Sequence, residues 1–436
     1  MVAEERSRHA TCAYPGCEGP RDRSHGIFLC PVCNRALFSC PHCQSVNRAH
    51  AAICTWCGKA ISCMHEAAKA AEAFRIQVPI AEVLAEKYER VELHRPQRLP
   101  LFVVNGYLFV GSEEPPQPDH TSSFRLFMFG ASNGAQVREY PLPSYLVGVP
   151  SYPGGRFLLL ATPSQLVQLD FELLETCPLR VPLEPEEVFM HAPVFHGAWP
   201  NGAWYVATGR PDAGRFALCR LGRGFDCLEK VCDLPGEPRI MVAAGAKLVV
   251  LCNKGGVSVN GGEAKPIPEV ANHPPKDDAD DFDAVLFEGR LWYPTHSAVA
   301  CLDVAKGQST PWGNMAHSGN GSLAVSERNL LVADADGVRA FSLTEASRPA
   351  RRLDDSRVRT SFSLRPHCWG RYVAAASSDG RLMVFDTATR ESAESNGLES
   401  VLSPPTYFGK WLWVLAGRGD GGGTLLAFSL VPGPNG

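Results

Sequence analysis

The chain has 436 residues, a formal net charge of −4 at pH 7 and a sequence pI near 6.4. This balance argues against an obligate nucleic-acid binder, because such proteins usually carry a basic patch. The first eleven residues include two glutamates and two arginines and no apolar run. The sequence therefore lacks the pattern of a secretory signal and predicts a cytoplasmic protein without a membrane partner.

Eight cysteines form four close pairs near the N-terminus, and three of the pairs have the spacing C-x-x-C. Two such knuckles complete the tetrahedral shell of four thiolates that Zn²⁺ prefers. Disulfides are disfavoured because a cytoplasmic compartment is reducing. The spacing predicts two structural Zn²⁺ ions per chain in tandem zinc ribbons over residues 1–60. The first ion has the ligands Cys12, Cys17, Cys30 and Cys33, and the second has Cys40, Cys43, Cys54 and Cys57.

The second ribbon has the pattern C-x2-C-x3-N-x6-C-x2-C and resembles the Ran-binding-protein type of zinc finger. The two ribbons together resemble the double zinc ribbon family common in prokaryotic proteins. Ubiquitin-binding fingers of this type carry Thr-Phe where this chain has Gln44 and Ser45, and RNA-binding ones carry an aromatic residue where it has Arg48. We therefore interpret Asn47 as a turn residue that caps local backbone.

Residues 61–89 are predicted to be a helical linker. The segment 64–88 is rich in alanine and glutamate, and Pro79 begins a second short helix. One face of this second helix carries Ile80, Val83, Leu84 and Tyr88. These apolar residues predict a strut that packs on the next domain.

Residues 90–436 consist of short β-type runs separated by Gly, Pro, Asn and Asp. Aligning each turn with the strand that follows it gives eight anchors: Leu108, Phe157, Trp204, Leu248, Leu291, Leu330, Tyr372 and Trp411. Units of about 40 to 50 residues with three or four strands each predict a mainly β fold, a β-propeller of about eight blades. Seven blades is the alternative, because the run GGVSVN at 255–260 is a poor strand.

The units resemble the WD-repeat and quinoprotein-like superfamilies. The run GRLMVFDTATRE at 380–391 is the nearest match to their shared turn, in which Asp and Thr-Gly follow a strand. The last unit ends after its third strand near residue 430, whereas Val91 and Leu93 alternate with polar residues before the first unit. We therefore predict that residues 90–95 supply the outer strand of the last blade and close the ring.

A search for reactive groups in the propeller gives no catalytic constellation. Its seven cysteines, Cys177, Cys219, Cys227, Cys232, Cys252, Cys301 and Cys368, lack ligand spacing and are interpreted as small buried hydrophobes. Five histidines are placed by the repeat near inner strands or the central channel, but without the spacing of metal ligands: His191, His196, His296, His317 and His367. The acidic run Asp277, Asp278, Asp280, Asp281 and Asp283 is interpreted as a solvated loop, with a basic partner or Ca²⁺ as the alternative.

These observations predict a non-catalytic scaffold or adaptor that binds other proteins of a multi-protein assembly through its propeller and ribbons. An RNA-binding adaptor that acts through the ribbons is the first alternative. A quinoprotein-like enzyme is the second, and it follows only from the resemblance of the repeats. The exported quinoprotein dehydrogenases carry adjacent-cysteine and acidic metal-ligand motifs, and this sequence shows neither.

Overall fold

The computed structural model describes the greater part of residues 91–429 and, before them, Ile27–Leu29, Ala36–Ser39, Val46–Arg48, Cys54 and Ala81–Glu82. Within 91–429 the residues outside this description are 98, 116–122, 132–133, 155, 198–200, 278–282, 315–321, 327–328, 335–336, 344–350, 354–361, 363, 370–371, 388–391, 396–397 and 409–410. Seven of the eight predicted zinc ligands and most of the predicted linker helices therefore lie outside the described residues.

The N-terminal strands form a small antiparallel sheet in chain order. Phe28 pairs with Leu37, and Phe38 pairs with Asn47. Successive reversals of the chain in such a sheet lie at opposite ends of it. One three-stranded sheet therefore spans both predicted ribbons, and Asn47 lies within its third strand instead of in the predicted turn.

The propeller begins with four blades in which the strands follow one another in chain order. Blade 1 comprises Arg95–Pro96, Phe102–Val104, Tyr107–Glu113, Phe124–Gly130 and Gln136–Leu142. Blade 2 comprises Phe157–Ala161, Leu166–Asp170 and Glu175–Pro178. Blade 3 comprises Val188–Phe189, Val194–His196, Ala203–Arg210, Arg215–Leu221 and Leu228–Asp233. Blade 4 comprises Pro238–Ala244, Lys247–Cys252, Gly255–Asn260 and Glu263–Ile267.

Four further blades complete the ring. Blade 5 comprises Val285–Phe287, Arg290–Pro294, Ala298–Asp303 and Gln308–Asn314. Blade 6 comprises Ser322–Ser326, Asn329–Asp334, Gly337–Ser342 and Arg351–Arg352. Blade 7 comprises His367–Trp369, Tyr372–Ala376, Leu382–Asp386 and Ser392–Ser395. Blade 8 comprises Ser400–Val401, Thr406–Phe408, Trp411–Gly417 and Gly423–Ser429.

The eight-bladed propeller confirms the repeat that the sequence predicts. Each of the eight anchor residues lies in the second main strand of its blade or, in blade 2, in the first. Gly255–Asn260, the run that favoured seven blades, is a regular strand paired on both sides in blade 4. Blade 2 has no regular inner strand in the described residues, and there Val147 donates its backbone N–H to Ala161 O at 3.0 Å.

The hydrophobic core lies between the blades. Among the described residues, each of the eight junctions between neighbouring blades holds its own cluster of buried apolar side chains. In blade 4, Leu248 and Val250 pack toward blade 3, whereas Val249 and Leu251 pack toward blade 5. Alternate residues of a strand point to opposite faces, and here both faces are covered. This is why the second strands read as unbroken apolar runs.

The ring is closed by a strand from the N-terminal side of the propeller. Val91–Leu93 pairs antiparallel with the third strand of blade 8, with Leu93 opposite Gly423. This confirms the predicted closure over 91–93. Arg95–Pro96, at the end of the predicted segment, instead pairs with Tyr107–Glu113 of blade 1.

Ala81–Glu82 is a second short strand on the same edge of blade 8, opposite Phe428 and Ser429. The sequence predicts a helix at these two residues, and that prediction is wrong. The third strand of blade 8 presents backbone donors and acceptors at the edge of its sheet, and pairing with them overrides a weak helical propensity. Within the described residues, the helices are the short 3-10 turns Pro211–Ala213 and Pro268–Asn272, and no helix has the length and hydropathy needed to span a membrane.

Recurring turns hold the blades in register. Asp170 is the last residue of Leu166–Asp170, the middle strand of blade 2, and its Oδ1 accepts the backbone N–H groups of the second and third residues after it, at 2.8 and 3.3 Å. Asp303 does the same in blade 5 at 3.0 and 3.1 Å. These hydrogen bonds help to hold the pKa of the Asp303 carboxyl below its usual value. Asp386 ends the corresponding strand of blade 7, in the run GRLMVFDTATRE.

Candidate site at the mouth of the central channel

The order of the strands places two kinds of connection at one end of the propeller. Inner strands of neighbouring blades contact one another, so they surround the central axis. Because the strands are antiparallel, the segments between second and third strands lie at the same end as those that lead into the next inner strand. We call this end the top face. A contact of 3.9 Å between His296 Nε2 and Asp277 Oδ2 joins one segment of each kind.

Polar residues collect where the inner strands begin. His191, Asp283, Arg365 and Ser403 each lie two or three residues before an inner strand, in blades 3, 5, 7 and 8, and Ser322 is the first residue of the inner strand of blade 6. We call these five residues the mouth of the channel. All except Arg365 are buried, and Arg365 is half-buried. Buried polar groups normally have hydrogen-bond partners, so the question for each polar group in the mouth is which partner it has.

Hydrogen bonds satisfy part of the mouth. Ser322 Oγ donates to Asp283 Oδ1 at 2.9 Å, which joins blades 5 and 6. His191 Nδ1 lies 2.8 Å from the backbone oxygen of Ala192. Ser403 Oγ is fully buried and has no hydrogen-bond partner among the described residues. The mouth is thus partly satisfied by contacts within the ring.

Two side chains beside Arg365, those of His367 and Cys368, are neutral at pH 7. Burial, and secondarily the positive charge of Arg365, lowers the pKa of His367 to about 4. Burial raises the pKa of the Cys368 thiol to about 12. A thiol with such a pKa is a poor nucleophile, and the imidazole is a weak base near pH 7. This arrangement does not supply acid–base or nucleophilic catalysis at neutral pH.

Aromatic rings pack between the inner strands of blades 7 and 8, and Trp369 ends its strand at the opposite end from the mouth. Trp369 of blade 7 stacks on Tyr407 of blade 8, with ring centroids 4.5 Å apart and planes 10° apart. Tyr372 lies 5.9 Å from the same indole. Burial raises the pKa of Tyr407. The rings form an apolar wall that joins the last two blades.

The structure separates the histidines that the sequence brought near the channel. His191 lies in the mouth and His367 in an inner strand, as predicted. His196 ends the inner strand of blade 3 at the opposite end of the channel. His296 is largely exposed between the second and third strands of blade 5, so its predicted place near an inner strand is wrong. His317 lies outside the described residues.

No cluster of three or more histidine, cysteine or acidic side chains suited to a metal ion occurs in the part of the chain that the structure describes. The acidic run also differs in part from the predicted solvated loop. Asp277 is exposed, but Asp283 is buried in the mouth because Ser322 offers it a hydrogen bond. Asp278, Asp280 and Asp281 lie outside the described residues.

The propeller cysteines do not behave uniformly. Cys219, Cys252 and Cys301 are buried as predicted, and burial raises the pKa of each thiol. Cys177 and Cys227 are exposed, so the interpretation as buried hydrophobes is wrong for them. They lie in an outer strand and in a turn, where no neighbouring blade covers them.

One predicted zinc ligand can be examined. Cys54 is buried, and Asn47 Nδ2 donates to Cys54 Sγ at 3.5 Å. An amide donor to sulfur fits a thiolate better than a thiol, and such outer-shell hydrogen bonds orient the ligands of metal sites. This contact is compatible with Cys54 as a zinc ligand, in a site where the ion would supply structural cross-linking, and the other seven predicted ligands lie outside the described residues.

Comparisons with known proteins extend only to the fold. No protein-family model and no curated protein matches the sequence. The computationally designed Ika8 protein is similar in structure, with a TM-score of 0.56, 11% identity, and coverage of 78% of this chain and 98% of that chain. The crystal structure of BamB from Moraxella catarrhalis is similar with a TM-score of 0.53, 14% identity, and coverage of 80% and 99%. At such identities the likeness concerns architecture and carries no function.

Sequence reasoning missed Arg365, Ser322 and Ser403. The anchors that define the repeat lie mainly in second strands, and an alignment on them does not compare the residues before the inner strands. Aligning the repeat on the starts of the inner strands would have shown a polar residue there in several blades.

Proposed function

We propose that this protein is a non-catalytic scaffold that binds a partner protein on the top face of its propeller. The observation that supports this proposal is the order of the strands. A proline-rich segment, 113–122, and an acidic segment, 272–283, both connect strands at the top face. Segments of this kind present contact groups on a rigid frame.

The chemistry of the mouth supports a binding role over an enzymatic one. Its imidazole and thiol groups have pKa values far from neutrality, and the predicted zinc shells consist of four thiolates without an open position.

The ribbons are proposed as a second contact held by two Zn²⁺ ions. The three-stranded sheet supports two separate ions, because its successive reversals lie at opposite ends. Elemental analysis should give about two zinc atoms per chain. Cys40→Ser should lower that ratio to about one and leave the melting transition of the propeller unchanged. A ratio near zero in the unmodified protein contradicts this part of the proposal.

The docking proposal is tested with a tagged full-length chain used as bait in its host. A triple variant, Asp278→Asn with Asp280→Asn and Asp281→Asn, removes three charges from the segment that connects blades 4 and 5. A matched control, Glu172→Gln with Asp226→Asn and Glu288→Gln, removes three charges from the end opposite the top face. Electrostatic complementarity mainly affects association, so the first variant should lose most of a specific co-purifying protein while the control retains it.

Thermal stability provides the necessary check. Exposed charges contribute little to folding, so both triple variants should melt near the unmodified protein. Equal capture by the two variants contradicts docking on the top face. Turnover of a small molecule by the zinc-replete protein contradicts the scaffold proposal altogether.

A further inference from the structure

Arg365 differs from every comparable arginine in the described part of the chain. Seven other arginines there are buried or half-buried, and each forms an ion pair with a carboxylate: Arg125, Arg156, Arg210, Arg239, Arg339, Arg381 and Arg418. No hydrogen bond or ion pair joins Arg365 to any residue that the structure describes. Among the described residues it is therefore a shielded cation without a hydrogen bond or ion pair, and Asp283 acts on it only at longer range.

The position of Arg365 explains how it keeps access to a ligand. It lies two residues before the inner strand of blade 7, in the mouth of the channel. Protein surrounds it closely enough that burial lowers its pKa, yet part of its surface remains exposed. A shielded charge without a partner costs free energy in the folded state. An anion that reached the guanidinium would recover that cost.

The surroundings indicate which anion. A guanidinium offers parallel donors that suit carboxylate and phosphate groups. Asp283 interacts with Arg365 at longer range, and its carboxylate accepts the hydrogen bond of Ser322. This second negative charge disfavours a doubly charged phosphate more than a singly charged carboxylate. His367, beside Arg365, is neutral at pH 7 and does not alter this balance.

The inner strand that begins at the mouth indicates what carries the carboxylate, because the ring of His367, next to Arg365, lies 6.1 Å from the ring of Trp369. Trp369 and Tyr407 present a stacked aromatic pair on the inner strands that begin at the mouth. Both residues are only partly buried. An apolar or aromatic group attached to the carboxylate would cover this aromatic pair and gain hydrophobic contact.

We propose that Arg365 binds a single carboxylate carried on an apolar or aromatic body, at the mouth of the central channel. A free small carboxylate and the C-terminal carboxylate of a partner chain share this chemistry. The docking proposal is tested at Asp278, Asp280 and Asp281, whereas this proposal is tested at Arg365, so either proposal can fail without the other.

Isothermal titration of the full-length protein tests the site. The probes are phenylacetate, the neutral phenylacetamide, phenyl phosphate, and a short peptide ending in phenylalanine with a free or an amidated C-terminus. Phenylacetate or the peptide with a free C-terminus should bind saturably. Phenylacetamide and the amidated peptide lack the carboxylate and should bind at least tenfold more weakly. Tighter binding of the free peptide than of phenylacetate would identify a chain terminus as the source, and the reverse would identify a small molecule.

Two variants connect binding to Arg365. Arg365→Met should weaken the carboxylate probes at least tenfold. Arg239→Met, which removes the arginine that pairs with Glu237 at 2.8 Å in the inner strand of blade 4, should leave them unchanged. Without ligand, Arg365→Met should melt at or above the temperature of the unmodified protein, because it removes an unpaired charge, whereas Arg239→Met should melt lower. If Arg365→Met does not fold, Arg365→Lys is used instead. It keeps the positive charge but lacks the parallel N–H donors of the guanidinium, so it should bind the carboxylate probes more weakly than the unmodified protein.

Three results would overturn the proposal. These are no binding of either carboxylate probe by the unmodified protein, equal binding of the amide and the acid, and equal binding by Arg365→Met and the unmodified protein. A larger loss of stability in Arg365→Met than in Arg239→Met would also count against it, because it would mean that the guanidinium has a structural partner.

Discussion

Blade 4 and blade 8 have similar sheets but different origins in the chain. Blade 4 is built from one continuous segment, Pro238–Ala244 through Glu263–Ile267. Blade 8 combines Ser400–Val401 through Gly423–Ser429 with Val91–Leu93, which lies more than 300 residues earlier in the sequence. Completing the sheet of blade 8 therefore requires a large loop to close before the stabilising contacts form. The comparison shows that one blade of the ring depends on long-range pairing and the others on local hairpins.

Removal of the closing strand should have the largest effect. Deleting residues 1–94 takes away Val91–Leu93 and leaves the third strand of blade 8 as an open edge. Open edges pair with other chains, so this protein should aggregate, whereas deletion of residues 1–60 should leave a soluble monomer. Size-exclusion chromatography and melting temperature distinguish the two. Identical behaviour of both truncations would show that the strand does not close the ring.

Single core substitutions should have the next largest effect and allow a matched comparison. Leu93 in the closing strand and Ile267 in the outer strand of blade 4 are both buried. Leu93→Ala and Ile267→Ala should each cost about 2–5 kcal/mol in chemical unfolding, because each leaves a cavity. Leu93→Ala should also increase proteolysis near the N-terminus, since its strand is attached at one side only. A cost below about 1 kcal/mol for Leu93→Ala alone would show that the closing strand packs loosely.

Acid should weaken the junction between blades 7 and 8 by a smaller amount. His367 has a pKa near 4 in the folded protein and about 6.5 when unfolded. Above about pH 6.5 the imidazole is neutral in both states, so its pKa shift does not affect stability. As the pH drops from about 6.5 toward 4, the unfolded chain binds the proton first and the free energy of unfolding falls. The loss should be on the order of 3 kcal/mol. His367→Gln should flatten this part of the pH profile, and an unchanged profile would show that the imidazole is not shielded as described.

The exposed ion pair at the closing strand should have the smallest effect. Arg418 Nη1 lies 2.9 Å from Glu92 Oε2, and the glutamate side chain is mostly exposed. Solvent screens such pairs, so Glu92→Gln should leave the melting temperature nearly unchanged at moderate salt. A loss of stability comparable to that of Leu93→Ala would show that charge pairing, and not packing, holds the closing strand in place.

Hairpin turns show why much of the fold could be predicted from the sequence. Asn105 and Gly106 have φ angles of 51° and 79°, and Glu288 and Gly289 have 49° and 75°. Both pairs connect an inner strand to a second strand. Gly is suited to positive φ, and Asn-Gly marks such turns. The recurrence of these signals before apolar runs made the blade period visible without any knowledge of the tertiary structure.

The mouth of the channel shows why the rest could not be predicted. Asp283, Ser322 and Arg365 are separated by about 40 residues each along the chain and come together only because blades 5, 6 and 7 are neighbours around one axis. The sequence made Asp283 look like a member of a solvated acidic run, and it gave no sign that Arg365 would lack a carboxylate partner. Whether a charged group is paired depends on which distant residues the fold brings beside it.

The sequence by itself determined the period of the repeat, the strand-forming runs, the turns between them and the strand that closes the ring, because each of these depends on local patterns of apolar and turn residues. Only the tertiary structure decided that Ala81–Glu82 is a strand, that Asn47 contacts Cys54, and that Arg365 stands unpaired in the mouth of the channel. These features depend on free sheet edges and on burial, and both arise only after segments that are distant in the chain have packed together.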